Sequence, residues 1–83
     1  MINKTEILNN ICCTELVYGG INKKLKTNFS KKQIEEYLFK ILNETNIDSF
    51  SKVGKNFYVL NNKYEIKITI NSYTFRIITV DKI

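Results

Sequence analysis

No histidine occurs among the 83 residues, so the chain cannot build a Ser–His or Cys–His pair, and Tyr, Lys, Arg and Glu are left to move protons or hold anions. Cys12 and Cys13 are adjacent. Neighbouring cysteines can pair only through a strained ring, so two free thiols are expected. They read either as a redox pair or metal clip, or as two small hydrophobes on a helix. No Cys/His spacing fits zinc. Val53-Gly54-Lys55 is a turn and not a phosphate-binding loop. Neither a catalytic residue nor a cofactor is implied.

The chemistry that remains is that of surfaces. From Lys55 onward the hydrophobic period is two, with Phe57, Val59, Tyr64, Ile66, Ile68 and Ile70 on one parity. A two-residue turn at Asn71–Ser72 pairs Ile70 with Tyr73, Ile68 with Phe75 and Ile66 with Ile77, placing every apolar partner on one face. The same register sets Lys67 across from Arg76 and Thr69 across from Thr74. With Asn62 and Lys63 as the first hairpin's loop, Tyr58 faces Lys67. The outer face then carries a row Tyr58–Lys67–Arg76, flanked by Asn56–Thr69–Thr74 and by Leu60–Glu65–Ile78. Like charges directly opposed are unfavourable, and an anion between them relieves this. A ring beside cations and hydroxyls suits a single-stranded nucleic acid, by stacking and phosphate contact. The plainer reading is a solvated face, with Glu65 diagonal to Arg76.

Two further surface features stand out. Lys23, Lys24, Lys26, Lys31 and Lys32 cluster at the junction of the two helices read below. Lys31 and Lys32 fall in a helix's first turn, where cations are disfavoured but an anion is welcome. Leu60, Ile78 and Val80 are apolar on a polar face, which points to a partner surface or dimer contact. Alternatively, the loop Thr45–Gly54 folds over them with Phe50 as lid.

These surfaces need elements to position them. Asn3 with Glu6 has capping-box spacing, and a stripe Ile7, Leu8, Ile11, Cys12, Glu15 continues through Val17, Ile21 and Leu25. This predicts a first helix over about residues 4–26, bent or interrupted at Gly19–Gly20, because two interior glycines cost roughly 2 kcal/mol against alanine. Ser30 with Gln33 is a second capping box, and Phe29 with Ile34 has the spacing of a hydrophobic staple. Ile34, Tyr37, Leu38, Ile41 and Leu42 form an unbroken apolar face, so a second helix runs to about Glu44. Thr45–Gly54 is expected to be a loop anchored by Ile47, Phe50 and Val53. The expected fold is a single α+β domain over residues 1–83. It is two helices followed by a three-stranded antiparallel meander (ααβββ), with both helices on one face and strand two central.

The net charge is +5, and residues 19–32 contain five lysines and no acid. Ile, Asn and Lys have AT-rich codons and dominate the composition, so the basic balance is a weak pointer to polyanions. No segment approaches the ~18 apolar residues of a membrane span. No signal peptide is visible, and with free thiols the expected compartment is the cytoplasm.

Thr14-Glu-Leu-Val-Tyr18, Ile21-Asn-Lys-Lys-Leu-Lys-Thr-Asn-Phe-Ser30, Gly54-Lys-Asn-Phe-Tyr58, Ile68-Thr-Ile-Asn-Ser72 and Thr74-Phe-Arg-Ile-Ile-Thr-Val-Asp-Lys-Ile83 together resemble a family of small bacterial proteins. That family is catalogued only as a domain of unknown function and is common in low-GC Gram-positive bacteria. The resemblance implies a bacterial cytoplasmic or mobile-element protein and carries no activity, cofactor or site residue. Gly19–Gly20 departs from the charged helix residues expected of relatives. Phe75-Arg-Ile-Ile-Thr-Val-Asp81 is similar to the penultimate strand of the RelE/ParE-type toxin fold, although the strand those proteins place before their helices has no counterpart here.

The leading expectation is a non-enzymatic module for RNA or other single-stranded nucleic acid. The alternative is a protein-interaction module, such as an inhibitor or toxin–antitoxin component, docking through Leu60, Ile78 and Val80 or an exposed edge strand. A histidine-free ribonuclease using Tyr58, Glu65, Lys67 and Arg76 comes third.

Overall fold

A computed structural model describes residues 2–13 and 15–83, with backbone alone for 15 and 16. The elements are α1 (Lys4–Asn10), β1 (Cys12–Cys13), α2 (Glu15–Leu25), α3 (Lys31–Glu44), a 3-10 turn (Ile47–Ser49), β2 (Phe50–Val53), β3 (Asn56–Asn61), β4 (Ile66–Asn71) and β5 (Arg76–Lys82). The strands form one sheet in the order β1-β5-β4-β3-β2. β1 runs parallel to β5 and the other neighbours are antiparallel. The α+β class holds, but the expected ααβββ chain with a three-stranded antiparallel meander is wrong. The described residues form three helices and a five-stranded mixed sheet.

The C-terminal helix of that layer follows its sequence signals closely. Ser30 Oγ accepts the Gln33 amide at 3.2 Å, and Gln33 Oε1 accepts the Ser30 amide at 2.8 Å. Ile34, Leu38, Ile41 and Leu42 are fully buried. At the other end the Lys4 ammonium donates to the carbonyls of Asn43 (2.7 Å) and Thr45 (2.6 Å). A cation there complements the negative end of the helix dipole and fastens α1 to α3.

The first helix behaves differently. Asn3 caps α1, its side chain accepting the Glu6 amide at 3.0 Å. The helix then stops at Ile11, which is extended, and Cys12–Cys13 add to the edge of β5. The interruption therefore comes before the glycines, and the cysteines lie on a strand rather than a helix. Thr14, within the expected helix, and the side chain of Glu15, within its stripe, lie outside the described residues. Gly19 and Gly20 are interior to α2, and a Cβ at either would meet nothing within 4 Å. They do not interrupt the helix, and no close neighbour packs against them. Burial of Ile21 and Leu25 outweighs their poor propensity. Lys26 ends α2 with φ +55°, and the Thr27 amide bonds back to the Asn22 carbonyl at 3.0 Å, a left-handed C-cap.

The stretch expected to be a loop contains β2. Gly54 (φ +62°) and Lys55 link Val53 to Asn56, with glycine at the first loop position, as a type II′ turn requires. Of the three expected anchors only Phe50 is buried; Ile47 and Val53 are 42% and 64% exposed. Phe50 joins the core cluster, so it is not a lid over the other face.

Both later hairpins have four-residue loops with one design. Asn61 pairs with Ile66, Glu65 has φ +55°, and Asn61 Oδ1 accepts the Tyr64 amide at 3.0 Å. In the second loop Phe75 has φ +58° and its amide bonds to the Asn71 carbonyl at 2.9 Å. Asn71 Oδ1 accepts the Tyr73 and Thr74 amides at 2.8 and 3.0 Å. Each asparagine is thus the last strand residue, its carboxamide organising the turn. The expected two-residue Asn71–Ser72 turn is therefore incorrect. Ile70 pairs with Ile77, Ile68 with Val80 and Ile66 with Lys82, with a bulge between Thr69 and Ile70.

One core results. Ile7, Ile21, Leu25, the α3 face and Val59, Ile66, Ile68, Ile70, Ile77 and Val80 share a single cluster. All three helices bury their apolar side chains there, which leaves the opposite sheet face without a covering layer.

Candidate nucleic-acid interface

The strand registers lay out the uncovered face as rows. Ser51 pairs with Tyr58, Tyr58 with Thr69, and Thr69 with Thr79, so hydroxyl side chains run across four strands. The next row is Leu60, Lys67 and Asp81, and on the other side Val53 pairs with Asn56 and Asn56 with Asn71. The Lys67 ammonium stands 5.2 Å from the centroid of the Tyr58 ring, a cation–π distance. Asn56 Nδ2 donates to the Tyr58 hydroxyl at 3.4 Å. Ser51, Val53, Tyr58, Leu60 and Lys67 line a shallow groove of about 400 Å³.

Lys24 closes the far end of the rows. Its ammonium donates to Thr79 Oγ1 at 2.7 Å and to Asp81 Oδ1 at 2.6 Å. Both members of the ion pair are nearly half exposed, so it contributes about 0–1 kcal/mol. α2 is held against this position by its own C-cap. Asn22 Oδ1 accepts from the Phe29 amide (3.0 Å) and the Thr27 hydroxyl (2.9 Å), and its Nδ2 donates to the Phe29 carbonyl at 3.0 Å.

The structure brings together only part of the expected site. Tyr58 and Lys67 do meet, diagonally rather than directly opposed, because the first hairpin loop is two residues longer than expected. Lys67 lies across from Asp81 instead of Arg76, and Thr69 across from Thr79 instead of Thr74. Arg76 pairs with Cys12, five residues or roughly 16 Å along β5 from Asp81. Thr74 is in the β4–β5 loop. The like-charge opposition that motivated the row is therefore absent. The proposed ribonuclease quartet is divided too, with Glu65 in the β3–β4 loop and Arg76 distant.

Lys31 and Lys32 do fall in the first turn of α3. Lys31 stands 5.5 Å over the Tyr18 ring, and Lys24 is drawn from the lysine cluster to Asp81. The apolar patch dissolves. Val80 is 1% exposed in the core, whereas Leu60 and Ile78, 46% and 45% exposed, line separate concavities. Cys12 and Cys13 are free, and neighbours on a strand project to opposite sides, so they cannot clip one metal ion. Burial, then Glu35 and Cys12, push the Cys13 thiol up to about 11.

Ser51, Thr79 and Asp81 were missed, as was the partnership of Lys24 with the last two. Thr79 and Asp81 face this side only because the bulge between Thr69 and Ile70 shifts the parity of β5; the right loop length alone would have set Ile78 and Val80 there. Lys24 was named for its charge, but nothing local pointed to a partner 57 residues away.

Among the described residues no helix is long and apolar enough to cross a membrane. No curated protein and no solved structure matches the chain, so the likeness to the RelE/ParE-type fold rests on the strand Phe75–Asp81 alone. The model of a family described as protein of unknown function (DUF3781) matches residues 5–81, nearly the whole length, and the chain belongs to that family.

Proposed function

We propose that the protein is a non-enzymatic module that binds single-stranded nucleic acid on the uncovered sheet face. The observation that carries this reading is Tyr58, a partly exposed ring 5.2 Å from the Lys67 ammonium, set in a row of hydroxyls on a bare sheet. A ring of this kind offers a base a stacking surface, and the neighbouring ammonium takes the adjoining phosphate. Ser51 and Thr79 supply hydrogen-bonding groups along the same line, with Thr69, only 6% exposed, packed between Tyr58 and Thr79. Lys24 ends the row, and Lys23 and Lys26, both exposed, extend the positive potential beyond it. In a chain of net charge +5 this gives a phosphate backbone a cationic border at one end of the face.

Fluorescence anisotropy of a labelled, unstructured oligonucleotide across a salt series tests the reading. Affinity should fall with salt, and Lys67→Ala should shallow the slope by about 0.7 if it holds one phosphate. Tyr58→Ala should weaken binding by about 1–3 kcal/mol. Salt-independent binding, or an unchanged affinity in Tyr58→Ala, would remove it.

A further inference from the structure

β2 is the last strand of the sheet on the side away from β1. Among the described residues no strand lies beyond its outer edge. Val53 and Asn56 close the two-residue loop and so form a hydrogen-bonded pair. The alternation of an antiparallel ladder then turns the N–H and C=O of Phe50 and Lys52 away from β3. The Phe50 N–H is already taken by the Ile47 carbonyl in the 3-10 turn. One donor, the Lys52 amide, and two acceptors, the Phe50 and Lys52 carbonyls, thus face outward on a strand already paired with β3.

The side chains around this edge have a definite character. Val53 and Leu60, 64% and 46% exposed, flank the groove that Ser51, Tyr58 and Lys67 complete. Lys52 lies in the strand, Lys55 in its turn and Lys67 across the groove. The nearest acid along the chain is Asp48, in the 3-10 turn before the strand.

We infer that the edge of β2 accepts an extended acidic segment of a partner protein by strand addition. Its backbone bonds to Lys52 and to the Phe50 carbonyl, its apolar side chains lie beside Val53 on the bare face, and its carboxylates, on the other parity, meet Lys52, with Lys55 at the turn. A second copy of the chain fits less well. Antiparallel self-pairing that keeps both helix layers on one side sets Lys52 either against itself or against Phe50 of the other copy. Neither arrangement supplies a carboxylate, and the first opposes two like charges. The inference does not rest on the nucleic-acid reading.

The test uses blocked peptides alternating valine with glutamate or valine with lysine, titrated into the full chain and followed by NMR and amide hydrogen exchange. The Val/Glu peptide should bind and slow exchange of the Lys52 amide, while the Val/Lys peptide should not. Lys52→Glu, an exposed change, should weaken Val/Glu binding by roughly tenfold. Equal binding of both peptides, no protection of the Lys52 amide, or indifference to Lys52→Glu would overturn the inference. So would a dimer in sedimentation whose Lys52 amide is protected without peptide, which assigns the edge to a second copy. Protection of the same amide by an oligonucleotide alone would assign it to nucleic acid.

Discussion

The two sides of β4 make opposite use of one strand. Ile66, Ile68 and Ile70 point into the helix layer and are 2%, 0% and 0% exposed. Lys67, Thr69 and Asn71 alternate with them on the bare face, where Lys67 meets the Tyr58 ring and Thr69 lies between Tyr58 and Thr79. Branched aliphatic packing on the first side supplies stability and tolerates no polar atom without a partner. The second side adds little to stability but collects rings, hydroxyls and charges on a rigid frame. The buried core and the proposed binding face are thereby separated by a single residue step.

That separation can be broken by substitution. Ile68→Ala should cost about 2–5 kcal/mol, read as a lowered midpoint in denaturant, while the folded fraction binds oligonucleotide as before. Tyr58→Ala should do the reverse, losing affinity with a stability change within about 1 kcal/mol. A Tyr58→Ala protein that unfolds as readily as Ile68→Ala would show that the two faces are not independent. Gly20→Ala should stabilise by up to about 1 kcal/mol, since the added methyl meets nothing, and should leave binding unchanged.

A smaller effect belongs to charge. Asp81→Asn should tighten oligonucleotide binding a few-fold by removing the acid beside Lys67, with stability altered by about 0–1 kcal/mol. Weaker binding would mean that Asp81 serves by orienting Lys24. Smallest of all is the Tyr64 hydroxyl, which donates to Glu44 at 2.5 Å and holds that carboxyl below its ordinary range. A depressed folded value contributes stability above the unfolded pKa and loses it as pH falls through the folded one. Acid should therefore erode the stability difference between the wild type and Tyr64→Phe.

Legibility from sequence followed the range of the interactions. α3 was readable because its capping box and apolar stripe are local, and Asn3 capped α1 for the same reason. The split of the first helix was not, because Cys12 and Cys13 become a strand only by pairing with Arg76 and Ile77, more than sixty residues on. β2 was hidden by its length of four residues, although its Gly54 turn was visible. The register of the last hairpin failed on an ambiguous turn residue and on a bulge between Thr69 and Ile70 that no local signal announces. Asn71 favours a turn whether it sits within the loop or ends the strand, and its carboxamide here takes the Tyr73 and Thr74 amides. The Tyr58–Lys67 proximity survived this error because the first hairpin's shift of two residues preserved the face, whereas Arg76 and Thr74 left the row.

The central claim is that the uncovered face binds single-stranded nucleic acid, and an NMR titration with a short unstructured RNA tests it most directly. Shift changes should concentrate on Ser51, Tyr58, Lys67, Thr69 and Thr79 and fade as salt is added, while the α3 resonances stay fixed. No change at those residues, or changes centred on Lys31 and Lys32, would contradict it.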